Sequence, residues 1–342
     1  MNGSILLTAT ASGFLVAAAA THVLRRVALH WGLTDRPGGH KAHRRPTPYL
    51  GGVAIMLGAV LPPAALAGLA DAHAAAIVIG ALAVTLLGLI DDLRPLRPLT
   101  RLAVETPAAV GVVLSGVQVT LTGGWPDIPI TVLWIVVVTN SFNLLDNMDG
   151  ALGAVTVVSA TLLAAAAFVS AQPVIGLLLA TLPLAALGFL PYNWAPAKIF
   201  MGDAGSLFIG FVLACSAALL ATGGNAGTTV AGLLLPTFVA TVDTGIVLLS
   251  RKRAGRPILR GGTDHLSHRL RKLGLSTRLT ALALAALAAA AGMLHLVMTL
   301  GWISPLGASL IGLGAACVLI GLPQRVRVYP SARPQRTPTG KR

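Results

Sequence analysis

The chain has 342 residues, 55% hydrophobic and 11% charged, with 25 Lys and Arg against 11 Asp and Glu for a net charge of +14. A soluble domain carries about 25% charged residues, so this composition excludes a water-soluble globular protein. Apolar windows of about 20 residues recur without strand-like alternation, which excludes an open sheet or barrel and predicts an all-α, polytopic membrane protein.

In chain order the windows fall at about 4–23, 50–70, 74–90, 102–117, 128–145, 151–169, 173–191, 204–222, 228–249, 279–300 and 304–322. That makes about 11 transmembrane helices, with boundaries good to ~2–4 residues. The first window is read as a retained helix rather than a cleaved signal: no positive charge precedes it, Arg25 and Arg26 follow it, and no cleavage context is present. Cys215 and Cys317 lie within apolar windows and are read as packing residues, not as a disulfide or zinc site. Pro236 is expected to break the ninth span, with packing alone as the alternative.

Charge sets the expected topology. With the N-terminus outside, the inner segments are 24–49, 91–101, 146–150, 192–203, 250–278 and 323–342, and they contain all 25 Lys and Arg. The positive-inside rule then places the C-terminus in the cytoplasm and the chain in the inner, cytoplasmic membrane. A basic cytoplasmic face suits anionic membrane lipids or phosphate-bearing substrates, and argues against nucleic acid as the partner. Residues 1–322 form one membrane domain, and the basic stretch 323–342 is expected to be a disordered tail lying against the membrane.

The 11 acids are few enough to follow singly. Asp71 and Asp127 fall in outer loops and read as solvated, while Glu105 one turn after Arg101 reads as a helix-surface pair. Asp35, Asp91, Asp92, Asp146, Asp149, Asp203 and Asp264 fall at the inner boundary, and Asp243 lies about two turns into the ninth span. Acids gathered on the face that carries every base describe a site, whereas a solvated surface would scatter both signs.

Five stretches carry the chemistry. The first loop, DRPGGHKAHRRPTPYLGG, frames Lys41, His43, Arg44 and Arg45 with Pro and Gly; an ordinary basic loop is the alternative. LIDD brings Asp91 and Asp92 out of the membrane together, and a divalent cation would relieve their repulsion unless the pair merely ends a helix. Oxygen ligands without a Cys or His cluster favour Mg2+, or Mn2+, over zinc. In NSFNLLDNMDG, Asn140, Asn143, Asp146 and Asp149 recur every third residue beside Asn147 and would be helical neighbours. A plain helix stop would set those carboxylates against an unfavourable dipole end. PYNWAPAKIFMGDAGS runs through Lys198 to a new helix at Gly202, whose free amides could receive a phosphate; Asp203 as a simple N-cap is the alternative. The last loop places His265 and His268 three apart beside Asp264 and Arg269, which fits a nucleotide or pyrophosphate pocket.

The ordered set DxP, KxH, PxP and GG, then DD, NxxNxxDxxDG, FMGDxGS and DHxxHRL, resembles the polyprenyl-phosphate N-acetylhexosamine-1-phosphate transferase family from Asp35 to Leu270. Within it the chain is most similar to the bacterial UDP-N-acetylglucosamine:undecaprenyl-phosphate transferases. The resemblance implies a polyprenyl phosphate attacking the sugar-linked phosphorus of a UDP-N-acetylhexosamine at the cytoplasmic surface, with UMP leaving. It implies Asp203, Asp92 and Asn143 as Mg2+ ligands and Asp91 as a base for the lipid phosphate, with Asp146 and Asp149 in the nucleotide-sugar or metal shell. Lys41 and His43 would contact phosphates; Asp264, His265, His268 and Arg269 would contact the nucleotide; Asn140, Asn147 and Lys198 would complete the substrate site. A homodimer is compatible with this reading.

Two positions depart from the family pattern. Gly39 and His40 precede Lys41 where NxRK is frequent, and Ser267 stands where HxHH has its middle histidine. The form HLSH argues against the phospho-N-acetylmuramoyl-pentapeptide transferases, which stay as the alternative within the family. An anionic-metabolite transporter is the rival from another class, but it predicts mid-membrane polar groups and paired halves, and the sequence has neither. A structural or assembly protein would not need five polar motifs.

Overall fold

Apolar segments satisfy their backbone hydrogen bonds internally only as helices, and helices make up nearly all of the structure. The structure is a computed structural model describing residues 3–35, 46–68, 70–257, 262–326 and 328–329. Its helices are α1 (Gly3–His30), α2 (Gly51–Ala67), α3 (Ala72–Leu93), α4 (Pro98–Leu114), α5 (Asp127–Leu145), α6 (Ala151–Val169) and α7 (Pro173–Asn193). They continue as α8 (Gly202–Ala221), α9 (Ala226–Leu234), α10 (Phe238–Arg253), α11 (Leu266–Lys272), α12 (Thr277–Thr299) and α13 (Pro305–Gly321). Every apolar window of the sequence coincides with a helix or, for the ninth, with the pair α9–α10. Among the described residues eight helices are long and apolar enough to cross a membrane, and the bent pair α9–α10 raises this to nine. The two remaining windows, α2 and α4, form 17-residue helices.

The break expected at Pro236 is present. α9 and α10 meet at 82° across residues 235–237, where the proline ring supplies no amide to continue the ladder.

α8 is the axis of the molecule. Its sequence is apolar all round, as a helix buried on every side must be. It packs against α2, α3, α5 and α9, while α1 and α7 close around α2, and α6 lies between α7 and α12. Cys215 is buried on α8, but Cys317 is exposed on α13, so the packing reading holds for the first cysteine and not for the second.

Two loop acids also differ from expectation. Asp127 is 1% exposed, because it accepts the amides of Leu121, Thr122 and Gly123 and the Thr122 hydroxyl, closing its own loop. Asp71 caps α3 through the Ala74 amide at 2.8 Å. Neither is simply solvated.

Strands β1 (Thr34–Asp35) and β2 (Thr47–Pro48) pair antiparallel and pin together the two ends of the first loop. Lys41 and His43 lie between them, outside the described residues. The far end of this loop is placed firmly: Phe200 N donates to Pro48 O, Gly51 N to Phe200 O and Gly52 N to Met201 O. Residues 48–52 and the approach to α8 therefore run side by side.

Close glycine contacts bring α3 onto α8. A Cβ on Gly88 would lie 2.4 Å from the carbonyl carbon of Asp203. Gly202, at φ +73, has room only for hydrogen, since a Cβ would meet Asp92 Oδ2 at 2.4 Å. Overpacking of this kind costs about 1–3 kcal/mol. Gly88→Ala is therefore expected to lower the melting temperature in detergent, and an unchanged melt would show that the α3–α8 approach is looser than described.

Candidate active site

The site is assembled from helix ends. Asp92, in the last turn of α3, accepts the Asp203 amide at Oδ1 (2.9 Å) and the Ala204 amide at Oδ2 (3.2 Å). It is an anion from one helix set on the positive N-terminus of another. The amides expected to be open to a phosphate are thus already taken by Asp92. Asp203 is not the N-cap either: that position is Met201, and Asp203 lies in the first turn.

Arg101, near the start of α4, joins the carboxylates. Its Nη1 donates to Asp91 Oδ2 and to Asp203 Oδ2, both at 3.1 Å, and its Nη2 to Asn143 Oδ1 at 3.0 Å. Asn143 returns through Nδ2 to Asp203 Oδ1 and Ser206 Oγ, both at 2.9 Å. Asp91 also accepts the Leu96 amide. Asp91, Asn143 and Asp203, from three helices, therefore meet around one guanidinium, and Asp92 is joined to them through the Asp203 amide. Glu105 is 1% exposed, which rules out a surface pair; it lies 3.9 Å from Arg101 Nε and accepts from Asn140 Nδ2. Asn140 also donates to Val136 O, so it supports Glu105 instead of pointing at a substrate.

The three-residue spacing holds only as far as the helix does. α5 ends at Leu145 and Asp146 is its C-cap, so Asn140 and Asn143 share a face that Asp146 and Asp149 do not continue. Asp149 Oδ2 accepts the Ala197 amide at 2.9 Å. Asn193 accepts the Gly150 amide and donates to Ile199 O, fastening the α5–α6 turn to the prolyl loop. Lys198 engages that framework through its backbone, to Tyr192 and Arg25, with its side chain exposed and no contact among the described residues joining it to the acids.

Asp146 is partly buried, and no described residue hydrogen-bonds its side chain. Burial, and then the charges of Asp203, Asp92 and Asp149, push its pKa up from 3.8 to about 8. The unfolded chain releases this proton near 3.8 and the folded chain only near 8. The associated stability is thus complete below the lower value and lost as pH rises to the upper one, at up to about 1.4 kcal/mol per pH unit. Asp146→Asn is expected to melt progressively higher than the parent between pH 5 and 8 in chelator, with the gap constant above about pH 8. Parallel melting curves across that range would overturn this account of Asp146.

The last motif forms the adjoining wall. Asp243, buried in α10, accepts from His265 Nδ1 at 2.7 Å and from the Leu266 amide at 2.6 Å. This fixes the ring and caps α11. The His265 and His268 rings lie 5.7 Å apart, and burial, followed by the charge of His265, holds the His268 pKa below its usual value. Ser267 donates to Asn147 Oδ1, so the departure from HxHH becomes a bridge to the α5–α6 turn. Asp264 is fully buried. Burial pushes its pKa up, but hydrogen bonds from Arg251 and Tyr329 outweigh this and hold it below the usual range. Arg269, expected on the nucleotide, is 2% exposed and bonded entirely within the protein.

Sequence reasoning treated Arg101 only as a partner of Glu105 and gave no role to Asp243, Arg251 or Tyr329. Asp243 did carry a signal: a lone acid inside an apolar helix marks a site by default.

These features define a polytopic helical membrane protein with an acidic cluster at one end, bridged to a histidine-bearing turn. The chain belongs to glycosyl transferase family 4, whose profile matches residues 74–221, from α3 through α8. It is 40% identical to a glycosyltransferase of Streptomyces coelicolor over 96% of this chain and 78% of the relative. A Bacillus subtilis protein named as an undecaprenyl-phosphate N-acetylglucosaminyl 1-phosphate transferase is 32% identical over 77% of this chain and 76% of its own length. The decaprenyl-phosphate N-acetylglucosaminephosphotransferase of Mycobacterium tuberculosis is 31% identical over 76% and 74%. Similarity to the phospho-N-acetylmuramoyl-pentapeptide-transferase of Staphylococcus haemolyticus spans 34% of this chain.

Proposed function

We propose that the protein transfers N-acetylglucosamine 1-phosphate from UDP-N-acetylglucosamine to a polyprenyl phosphate, with Mg2+, at the cytoplasmic face of the cell membrane. An oxygen of the lipid phosphate bonds to the sugar-linked phosphorus. The bond from that phosphorus to the bridging oxygen breaks, and UMP leaves with the electron pair. Polyprenyl-diphospho-N-acetylglucosamine stays in the membrane.

The observation that carries this reading is the convergence of Asp91, Asp203 and Asn143 on Arg101, with Asp92 bonded to the Asp203 amide and Asp146 beside them receiving no hydrogen bond from the described residues. Phosphoryl transfer needs charge neutralisation and in-line placement more than covalent chemistry. The hard oxygen donors of Asp203, Asp92 and Asn143 suit Mg2+. Among the described residues no three acid, histidine or cysteine side chains stand as a ready metal group, so these donors have to be shared with Arg101 and the α8 amides. When bound, the ion would neutralise charge on the diphosphate. Arg101 would oppose the same charge, and His265, held by Asp243, would meet the nucleotide side. The prenyl chain would lie along the bend between α9 and α10.

The basic residues at this end support the cytoplasmic placement; among them Arg25 donates to Lys198 O and Arg278 to Ala195 O. The test is UMP release by purified protein from a panel of UDP-N-acetylhexosamines, with polyprenyl phosphate and Mg2+. UMP with the GlcNAc donor is the expected result. Folded protein that releases none from any donor would refute the reading, and release only from the muramoyl-pentapeptide donor would reassign it.

A further inference from the structure

Residues 322–326 and 328–329 are held against the helices, within the stretch from residue 323 that the sequence alone reads as a disordered tail. Leu322–Arg325 forms a 3-10 turn, and Gln324 Nε2 donates to Ile246 O at 3.0 Å and Ile320 O at 3.3 Å, which pins the turn to α10. Arg269 donates through Nη1 to the carbonyls of Pro323 and Val326, through Nε to Asp264 O and through Nη2 to Ser250 Oγ. Lys272 Nζ reaches Val328 O at 3.3 Å. Tyr329 gives its hydroxyl to Asp264 Oδ2 at 2.7 Å, and the Arg256 guanidinium lies 4.1 Å over its ring.

We propose that residues 322–326 and 328–329 act as a strap that fastens the turn 264–272, and that Arg269 and Tyr329 are positioning residues that set where His265 and His268 meet the nucleotide sugar. This rests on the function proposed above. α11 has seven residues, too few to hold its own shape without packing. One side of the turn is fixed by Asp243. The other side is fixed by the strap, through a guanidinium whose fork reaches four acceptors that a lysine ammonium could not reach together. Loss of the strap carbonyls would leave that buried charge under-satisfied, and the turn would open to water. His265 and His268 ride on the turn, so their placement depends on a segment that itself touches no substrate.

The test compares the parent, Tyr329→Phe and a chain ending at Gly321, each purified in detergent. Two readouts are taken: hydrogen exchange over 262–272 and the steady-state kinetics of UMP release. Tyr329→Phe removes a hydrogen bond to a charged group, so exchange over 262–272 is expected to quicken. KM for the UDP-sugar is expected to rise about three- to tenfold with kcat within about twofold. The shortened chain shows the same split, larger; if it fails to fold, Tyr329→Phe decides. Unchanged exchange overturns the strap, and faster exchange with unchanged KM overturns its positioning role. A parent that turns over no UDP-sugar defeats the functional reading, while the exchange comparison still decides the strap.

Discussion

Asp203→Asn is expected to reduce UMP release by at least about 10²–10³-fold while the protein stays folded, the range seen when one electrostatic group is removed from a preorganised site. The substitution keeps the shape. The backbone amide of residue 203 still reaches Asp92, and an asparagine oxygen can still accept from Asn143 Nδ2 at the position of Asp203 Oδ1. The negative charge goes, and with it the ion pair that Arg101 makes at 3.1 Å. Burial of the α8 core is untouched and Arg101 keeps Asp91 and Asn143 as partners, so the melting temperature should fall less than when Arg101 itself is removed. A useful contrast is Asp71→Asn, which alters the cap of α3 and no contact of the site; its turnover should match the parent. If Asp203→Asn retained activity within threefold of the parent, Asp203 could not be the centre of the acidic cluster's chemistry.

Why Asp203 could be singled out from the sequence, and its neighbours less well, has a physical answer. The apolar windows and the Pro236 break are local properties of hydropathy and backbone chemistry and are legible, whereas α1 runs on to His30, past the expected end at residue 23. Convergence of Asp91, Asp92, Asn143 and Asp203 followed from counting which end of each helix carried the charge, because helices that cross one membrane share two faces. What a single sequence does not encode locally is which partner a side chain chooses across helices. Asp92 was read as half of a repelling pair, yet it caps α8 because Gly88 and Gly202 let α3 approach. Arg101 was assigned to Glu105 because the two are four apart, but its fork turns to acids on other helices. The three-residue rhythm was carried past Leu145, where the helix stops, and so Asp146 and Asp149 were placed on a face they do not share. The basic tail reads as disordered by composition alone, yet Arg269 holds the carbonyls of Pro323 and Val326, and Tyr329 bonds to Asp264. Lys41 and His43 lie outside the described residues, so their assignment stands on the resemblance.

Arg101→Met is expected to have the second large effect, and it separates charge balance from catalysis. In the parent the guanidinium is the counter-charge shared by Asp91 and Asp203, with side-chain exposures of 18%, 9% and 32% for the three residues. Removing one partner of a buried ion pair costs about 3–5 kcal/mol, and the partial exposure of Asp203 moderates that here. The variant should therefore melt well below the parent in chelator. Mg2+ should raise its melting temperature more than it raises the parent's, because in the parent a cation has to compete with Arg101 for the same carboxylate oxygens. A ligand at 100 times its dissociation constant stabilises by about 2.7 kcal/mol, enough to recover much of the loss. Activity should not return with stability, since the ion then neutralises the acids but leaves the diphosphate without the guanidinium's directed donors. If Mg2+ stabilises both proteins equally, the arginine and the cation occupy different ground, and the cluster around Arg101 is structural.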